Sequence, residues 1–146
     1  MRYRAVIPTV ITQIRAGNRQ IRLGSLHPTR DFNFVADTCR GLIALGQCDA
    51  AIGRSVNIGR GEEISIGELA RTIAGLMEAE IEIVTEDDRI RPANSEVERL
   101  LCDNSLMHAL TGYTARTGLR DGLETTIRWF GEARNLARYK SGLYNV

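Results

Sequence analysis

Arginine is the residue type of this sequence best suited to chemistry. Arg30 stands just before an apolar run, and Arg91 stands beside a proline between two predicted strands. The planar guanidinium group can bind a phosphate through two parallel hydrogen bonds, and two arginine-bearing loops can close on one diphosphate. The spacing supports equally well surface ion pairs such as Arg30 with Asp31 or Arg91 with Glu96. A diphosphate-binding pair of arginines is therefore one of two hypotheses for these residues.

Other catalytic chemistry has less support. Only one of the 19 basic residues is a lysine, so a Schiff base or a phosphate-loop lysine would have to use Lys140. The run Gly59-Arg60-Gly61 lies between a predicted strand and a predicted helix, but it matches neither GxGxxG nor GxxxxGKS/T, and two glutamates follow it. No GxSxG motif is present, and neither histidine has the sequence context of a catalytic triad. We therefore predict that these glycines form a turn into a capped helix.

The overall composition restricts the class of protein. The chain has 146 residues, 43% of them hydrophobic, so we expect a single domain spanning residues 1–146. A formal net charge of +1 provides no electrostatic attraction to nucleic acid or acidic membranes, and no apolar run approaches the ~20 residues of a membrane span. The three cysteines form no CxxC pair and have no metal-ligand spacing to the two histidines. These counts argue against a structural zinc site and favour a reducing, cytoplasmic setting.

Hydrophobic periodicity predicts the elements that must position the arginines. The sequence Ser65-Ile66-Gly67-Glu68 is a capping box, which predicts a helix that starts at Ile66. Other helices are predicted from near Ile7, from Val35, after a cap at Asp103, and along a final apolar face that starts at Leu119. Strands are predicted at 20–23, 31–35, 55–58, 80–84 and 97–102. This order indicates a mixed α/β chain of short strands and helices, without the regular β-α-β run of a self-sufficient doubly wound sheet.

Several short motifs follow one another in the order found in a known enzyme family. Residues 23–37 contain Arg30-Asp31-Phe32, Val35 and Asp37, and this run resembles the RDFxxVxD segment of extended short-chain dehydrogenase/reductase enzymes. The resemblance covers nearly the whole chain and is specific in combination. The further motifs are Val56-Asn57-Ile58-Gly59, Ile64 to Leu69, Arg91-Pro92 with Ser95-Glu96-Val97, Asp103-Asn104-Ser105, and Gly122-Leu123 with Thr126 to Phe130.

Within that family the sequence is most similar to nucleotide-sugar 4,6-dehydratases, in particular those acting on a UDP-N-acetylhexosamine in legionaminic-acid type sugar biosynthesis. The matching motifs belong to the C-terminal part of such enzymes, so the resemblance implies an extended short-chain dehydrogenase/reductase fold without its N-terminal Rossmann unit. In the complete enzymes NAD binds at a GxxGxxG turn, and a YxxxK pair carries out the proton and hydride chemistry. This chain contains neither motif, because Leu136 stands where a tyrosine paired with Lys140 would be. We therefore expect no NAD site and no catalytic residue in these 146 residues.

The resemblance implies substrate-binding roles for five residues. Arg30 and Arg91 would hold the diphosphate of a nucleoside-diphosphate sugar, and Glu96 would accept hydrogen bonds from hydroxyl groups of the ribose or the sugar. The backbone around Leu23 and Gly24 would lie along the nucleobase. The spacing between Arg91 and Glu96 is longer than in the family's common RPxEV form, so an exposed carboxylate at a strand edge stays an equal alternative for Glu96.

Two hypotheses about the whole chain follow from these observations. In the first, the chain is the substrate-binding region of an NAD-dependent nucleotide-sugar dehydratase or epimerase and is not catalytically complete alone. In the second, it is a non-catalytic truncated or stand-alone interaction protein. Without a Rossmann unit, the helix stripe Val35, Leu42 and Leu45 and the strand predicted at 55–58 would be exposed. We therefore expect a homo-oligomer, or a partner that supplies the missing half.

Overall fold

The computed structural model describes residues 5–86 and 97–139, and it divides into two compact units. The first unit comprises Met1–Pro28, Ser65–Glu98 and Leu123–Val146, and the second comprises Thr29–Ile64 and Arg99–Gly122. The helices are α1 (Val6–Arg15), α2 (Val35–Gly46), α3 (Ile66–Leu76), α4 (Ser105–Thr111), α5 (Leu119–Gly131) and α6 (Ala133–Leu136), with a 3-10 helix at Asp49–Ala51. The strands are β1 (Gln20–Leu23), β2 (Thr29–Arg30), β3 (Ile64–Ser65), β4 (Glu82–Thr85) and β5 (Arg99–Leu100). The predicted mixed α/β fold of short elements is confirmed, while the single domain of residues 1–146 stays a prediction.

The first unit is built on a parallel strand pair and two helices that pack together. β1 pairs with β4 in parallel, from Gln20 opposite Glu82 to Leu23 opposite Thr85, and α1 packs against α3. Pro8 lies in the first turn of α1, where its missing N–H costs little. The buried apolar side chains of this unit include Val10, Ile11, Ile21, Leu23, Leu69, Ile73, Leu123 and Phe130.

The capping box forms as predicted and begins α3 at Ile66. The Ser65 hydroxyl accepts a hydrogen bond from the Glu68 amide at 3.2 Å, and the Glu68 carboxylate accepts one from the Ser65 amide at 3.3 Å. These bonds give hydrogen-bond acceptors to two backbone amides at the start of the helix, which have no acceptor within the helix itself. The Ser65 hydroxyl also donates to Glu68 Oε2 at 2.7 Å, and this bond, followed by the bond from the Ser65 amide, lowers the pKa of Glu68 below its ordinary value of 4.5.

The second unit surrounds a small sheet in the order β3-β2-β5. β2 and β5 pair in parallel through two residue pairs, Thr29 with Arg99 and Arg30 with Leu100. α2 packs against α4 and against the 3-10 helix. Gly41 allows a close approach on α2, because a Cβ atom there would lie 2.8 Å from Ile58 Cγ2.

Two predicted strands are wrong, and hydrogen bonding explains why. Residues 31–34 are irregular and lead directly into α2, because the Asp31 carboxylate and the Asn33 amide bond to groups outside any strand ladder. Residues 55–58 are also irregular, and the strand of this region is β3 instead. The strand expected at 97–102 shortens to β5. The Asp103 cap is confirmed in part, since Asp103 Oδ1 accepts the Ser105 amide at 3.0 Å while the N-cap position is Asn104.

No helix of residues 5–86 and 97–139 is long and apolar enough to cross a membrane.

Candidate functional site

Arg30 is the candidate phosphate-binding residue that the structure describes in detail. It ends β2, it is partly buried, and its guanidinium Nη1 donates to the Thr29 carbonyl at 2.8 Å. Its partner across the parallel ladder is Leu100. Ligand sites of α/β folds gather where parallel strands end, so Arg30 stands at a suitable position in the second unit. A ladder of only two residue pairs is short, so the pairing of β2 with β3 and the residues on either side of Arg30 add to its support.

Asp31 holds the backbone on the C-terminal side of Arg30. Its carboxylate accepts hydrogen bonds from three backbone amides: Oδ1 from Arg60 at 3.2 Å, and Oδ2 from Gly61 at 2.8 Å and from Cys102 at 3.3 Å. Its own amide donates to the Leu100 carbonyl at 2.9 Å. Asp31 therefore joins the end of β2 to the glycine turn and to the segment after β5.

The glycine turn at 59–61 is confirmed as a structural turn. Gly61 has a φ of +77°, which favours glycine, and a Cβ atom at Gly59 would lie 2.5 Å from Cys102 Cβ. Because the Arg60 and Gly61 amides already bond to Asp31, this turn does not present them to the phosphates of a dinucleotide. This turn therefore does not fit NAD, and the chain also lacks GxxGxxG.

Glu63 holds the backbone on the N-terminal side of Arg30. Glu63 Oε2 accepts a hydrogen bond from the Thr29 hydroxyl at 2.6 Å. The Arg99 Nε lies 2.9 Å from each of the two Glu63 carboxylate oxygens, and the Arg99 Nη2 lies 2.7 Å from Oε1. Hydrogen bonds from Arg99 and then Thr29 lower the pKa of Glu63 below its ordinary value of 4.5. Glu63 thus bridges the first residue pair of the β2–β5 ladder.

Asp37, the last residue of the RDFxxVxD match, is buried and structural. Its Oδ2 accepts the Thr117 amide at 2.8 Å and its Oδ1 accepts Arg40 Nη1 at 2.9 Å, while its carbonyl accepts the Tyr113 hydroxyl at 2.6 Å. Burial acts to raise the pKa of Asp37, but hydrogen bonds from Thr117, Arg116 and Arg40 together outweigh it and lower this pKa below the ordinary 3.8. Asp37 therefore ties α2 to the segment after α4.

Sequence reasoning did not identify Arg60 as an important residue. Its Nη1 donates to the Thr117 carbonyl, and its Nε and Nη2 donate to Glu62 Oε2 at 3.3 and 2.8 Å. With a side chain only 15% exposed, Arg60 is a structural tie in the second unit. The only local pattern around Arg60 in the sequence is its position between two glycines, and this pattern predicts a backbone turn and not a role for the side chain.

The other predicted site residues fall elsewhere. Leu23 is buried at the end of β1 in the first unit, where its carbonyl accepts the Glu86 amide at 2.9 Å, and Gly24 follows it. Arg91 and Glu96 lie outside the described residues. Within residues 5–86 and 97–139, no group of three or more His, Cys, Asp or Glu side chains could hold a metal ion.

The fold is that of the C-terminal part of an extended short-chain dehydrogenase/reductase. Residues 3–126 match the family model described as GDP-mannose 4,6 dehydratase. The chain therefore belongs to the GDP-mannose 4,6 dehydratase family.

The relatives of the chain are enzymes of nucleotide sugars. It is 31% identical over 127 residues to UDP-glucuronic acid decarboxylase 1 of Xenopus tropicalis, covering 86% of this chain and 28% of that protein. It is 28% identical over 135 residues to the UDP-N-acetyl-alpha-D-glucosaminuronate decarboxylase of Bacillus cytotoxicus, covering 91% of this chain and 42% of that protein. The chain thus spans less than half the length of these curated relatives.

Solved structures agree with this partial coverage. An epimerase of Methanothermobacter thermautotrophicus superposes with a TM-score of 0.82 at 34% identity, over 94% of this chain and 40% of that one. The Bordetella bronchiseptica enzyme WbmF, solved with NAD+ and UDP, superposes with a TM-score of 0.73 at 30% identity, over 91% and 37%. The chain is homologous to part of the NAD-dependent nucleotide-sugar epimerases, decarboxylases and dehydratases.

Proposed function

We propose that this chain is the substrate-binding region of an NAD-dependent nucleotide-sugar dehydratase or epimerase and binds the diphosphate of a nucleoside-diphosphate sugar. The observation that carries this proposal is the placement of Arg30 at the end of a parallel strand, with Asp31 and Glu63 holding the backbone on either side. The Arg30 guanidinium is itself restricted by its Nη1 bond to the Thr29 carbonyl at 2.8 Å, so it loses less conformational freedom when it binds a diphosphate.

The remaining assignments rest on the motif resemblance. Arg91 would share the diphosphate with Arg30, Glu96 would accept hydroxyl hydrogen bonds, and the backbone at Leu23 and Gly24 would lie along the nucleobase. A 4,6-dehydratase of UDP-N-acetylhexosamine is the finer proposal for the complete enzyme. UDP is the first nucleotide to test, because two curated relatives are named for UDP-sugars and the WbmF structure contains UDP.

Replacing Arg30 by alanine tests the proposal. We expect Arg30→Ala to weaken UDP binding by about 1.5 to 3 kcal/mol, because the variant loses a charge-assisted contact with the diphosphate. Isothermal calorimetry with UDP and with GDP measures the effect and ranks the two nucleotides. Arg54→Ala is the matched control, because Arg54 is an exposed arginine of the same unit. Equal UDP affinity in wild type and Arg30→Ala would remove Arg30 from the site.

Catalysis by the 146-residue chain is expected to be absent. The chain has no YxxxK pair to move a proton and no GxxGxxG turn to hold NAD. Incubation with NAD and a UDP-N-acetylhexosamine, followed by mass spectrometry, should therefore show no 4-keto-6-deoxy product, while a full-length 4,6-dehydratase gives it under the same conditions. Product formed by the purified 146-residue chain would contradict the prediction that this chain contains no catalytic residue.

An interaction protein is the second candidate, and the exposed face of α2 favours it. The α2 face consists of Val35, Cys39, Leu42 and Ile43, and its three aliphatic side chains are 67%, 58% and 59% exposed. The stripe expected from the sequence needs correction, since Leu45 is partly buried and residues 55–58 supply no strand edge. We propose that a second copy of the chain covers the α2 face, because one helix face on each copy can form a symmetric, self-complementary contact.

A further inference from the structure

We propose that Glu63 is a positioning residue for Arg30: by bridging β2 and β5 it sets where the Arg30 guanidinium meets a diphosphate. This inference rests on the proposed nucleotide-sugar site. Glu63 lies outside the RDFxxVxD match and is not one of the residues that the motif resemblance assigned to substrate. Its importance follows from the contacts around β2.

The β2–β5 ladder is too short to hold Arg30 alone. It has two residue pairs, and Arg30 belongs to the second. Glu63 binds both members of the first pair, accepting the Thr29 hydroxyl at 2.6 Å and the Arg99 Nε at 2.9 Å. The side chains of Thr29 and Arg99 share one face of the sheet because they are ladder partners, and one carboxylate can therefore reach both.

Glu63 acts on Arg30 through the backbone. Successive side chains of a strand point to opposite faces, so Arg30 projects from the face opposite to Thr29 and Glu63. On its other side Arg30 is followed by Asp31, which three backbone amides hold. Arg30 therefore lies between two carboxylate ties. Removing Glu63 takes away the tie across the first pair of the β2–β5 ladder and loosens that ladder as far as the Asp31 amide bond to Leu100, while the Asp31 carboxylate bonds and the pairing of β2 with β3 remain.

The geometry distinguishes this contact from an ordinary surface ion pair. Isolated exposed pairs contribute little to stability because solvent screens them and two long side chains lose freedom. Here the Arg99 Nε and Nη2 both bind the Glu63 carboxylate, and such a two-bond contact fixes the relative orientation of the two groups as well as attracting them. The Thr29 hydroxyl donates a third hydrogen bond to the same carboxylate. Loss of Glu63 should consequently change local order at the β2–β5 ladder much more than global stability.

The first measurement needs no nucleotide. In the free protein, Glu63→Ala should speed hydrogen exchange of the Asp31 amide, which donates to the Leu100 carbonyl at 2.9 Å, at least about tenfold. Glu62→Ala is the matched control, because it removes a neighbouring carboxylate that pairs with Arg60 and not with β2 or β5. Unchanged exchange of the Asp31 amide in Glu63→Ala, or the same acceleration in Glu62→Ala, would overturn the positioning role.

The second measurement links Glu63 to Arg30. Glu63→Ala should weaken UDP binding about three- to tenfold, and the Arg30→Ala, Glu63→Ala double variant should bind no more weakly than Arg30→Ala. Glu63→Gln, which keeps an acceptor for Thr29, should fall between wild type and Glu63→Ala. Additive losses in the double variant would overturn the inference and leave the Arg30 site standing. Failure of the wild type to bind UDP would overturn the proposed function, while hydrogen exchange still decides the positioning role.

Discussion

Asp37→Ala is expected to lower the free energy of unfolding by about 2 to 4 kcal/mol. The substitution leaves the half-buried Thr117 amide without its acceptor and removes the charge-assisted bond from Arg40. It also removes a negative charge from the first turn of α2, where the helix dipole favours one. Urea unfolding followed by circular dichroism measures the loss. Asp49→Ala, on the exposed 3-10 helix of the same unit, is the control and should change stability by less than about 0.5 kcal/mol.

The pKa of Asp37 adds a pH dependence of known sign. Because this pKa is lower in the folded chain than its ordinary 3.8, the stabilisation is present above that value and is lost as the pH falls toward the folded value. The stability difference between wild type and Asp37→Asn should therefore shrink as the pH is lowered from 7 to about 3. A difference that grows at low pH would show that the Asp37 charge is not stabilising in the folded state.

We expect the wild-type chain to form a dimer through the α2 face and Leu42→Glu to be a monomer. Each large apolar side chain of the α2 face that is buried against a second copy stabilises the dimer by roughly 1.5 to 3 kcal/mol. A glutamate on that face would have to lose its hydration without a partner, which costs more than the leucine contributed. Light scattering should give wild type roughly twice the 16.2 kDa of one chain, and Leu42→Glu about that of one. Because Leu42 is 58% exposed in the single chain, the variant should still fold.

A control variant and a built-in probe sharpen this test. Leu101→Glu places the same charge on an exposed leucine outside α2 and should leave the dimer intact. Cys39 lies on the α2 face and should react with maleimide slowly in the dimer and rapidly in Leu42→Glu. Cys102 should react slowly in both, because burial and the nearby Asp31 and Asp103 charges raise the pKa of its thiol. A wild-type monomer at micromolar concentration, or a dimer that Leu42→Glu leaves intact, would contradict the proposed contact.

The elements that were predictable are those settled by neighbours along the chain. The Ser65 and Glu68 capping box marks the start of α3 because both of its bonds join residues three apart. The alternation at 20–23 predicts β1 at its observed bounds, and Gly46 ends α2 as expected. The RDFxxVxD match likewise pointed to the correct family before any contact was known.

The tertiary structure decided how the carboxylates of that motif and its surroundings are used. Asp31 bonds to the amide of Gly61, 30 residues away, and to that of Cys102, 71 residues away, so 31–34 leaves the strand that its aromatic composition predicts. Glu63 meets Thr29 and Arg99 together because the pairing of β2 with β5 places these two residues side by side. Hydrophobic periodicity in the sequence predicts which face of an element is apolar. The partner of a carboxylate depends instead on the tertiary structure, because folding determines which distant backbone amides still lack a hydrogen-bond acceptor. For that reason Arg30 could be proposed from the sequence, but the two carboxylates that hold it could not.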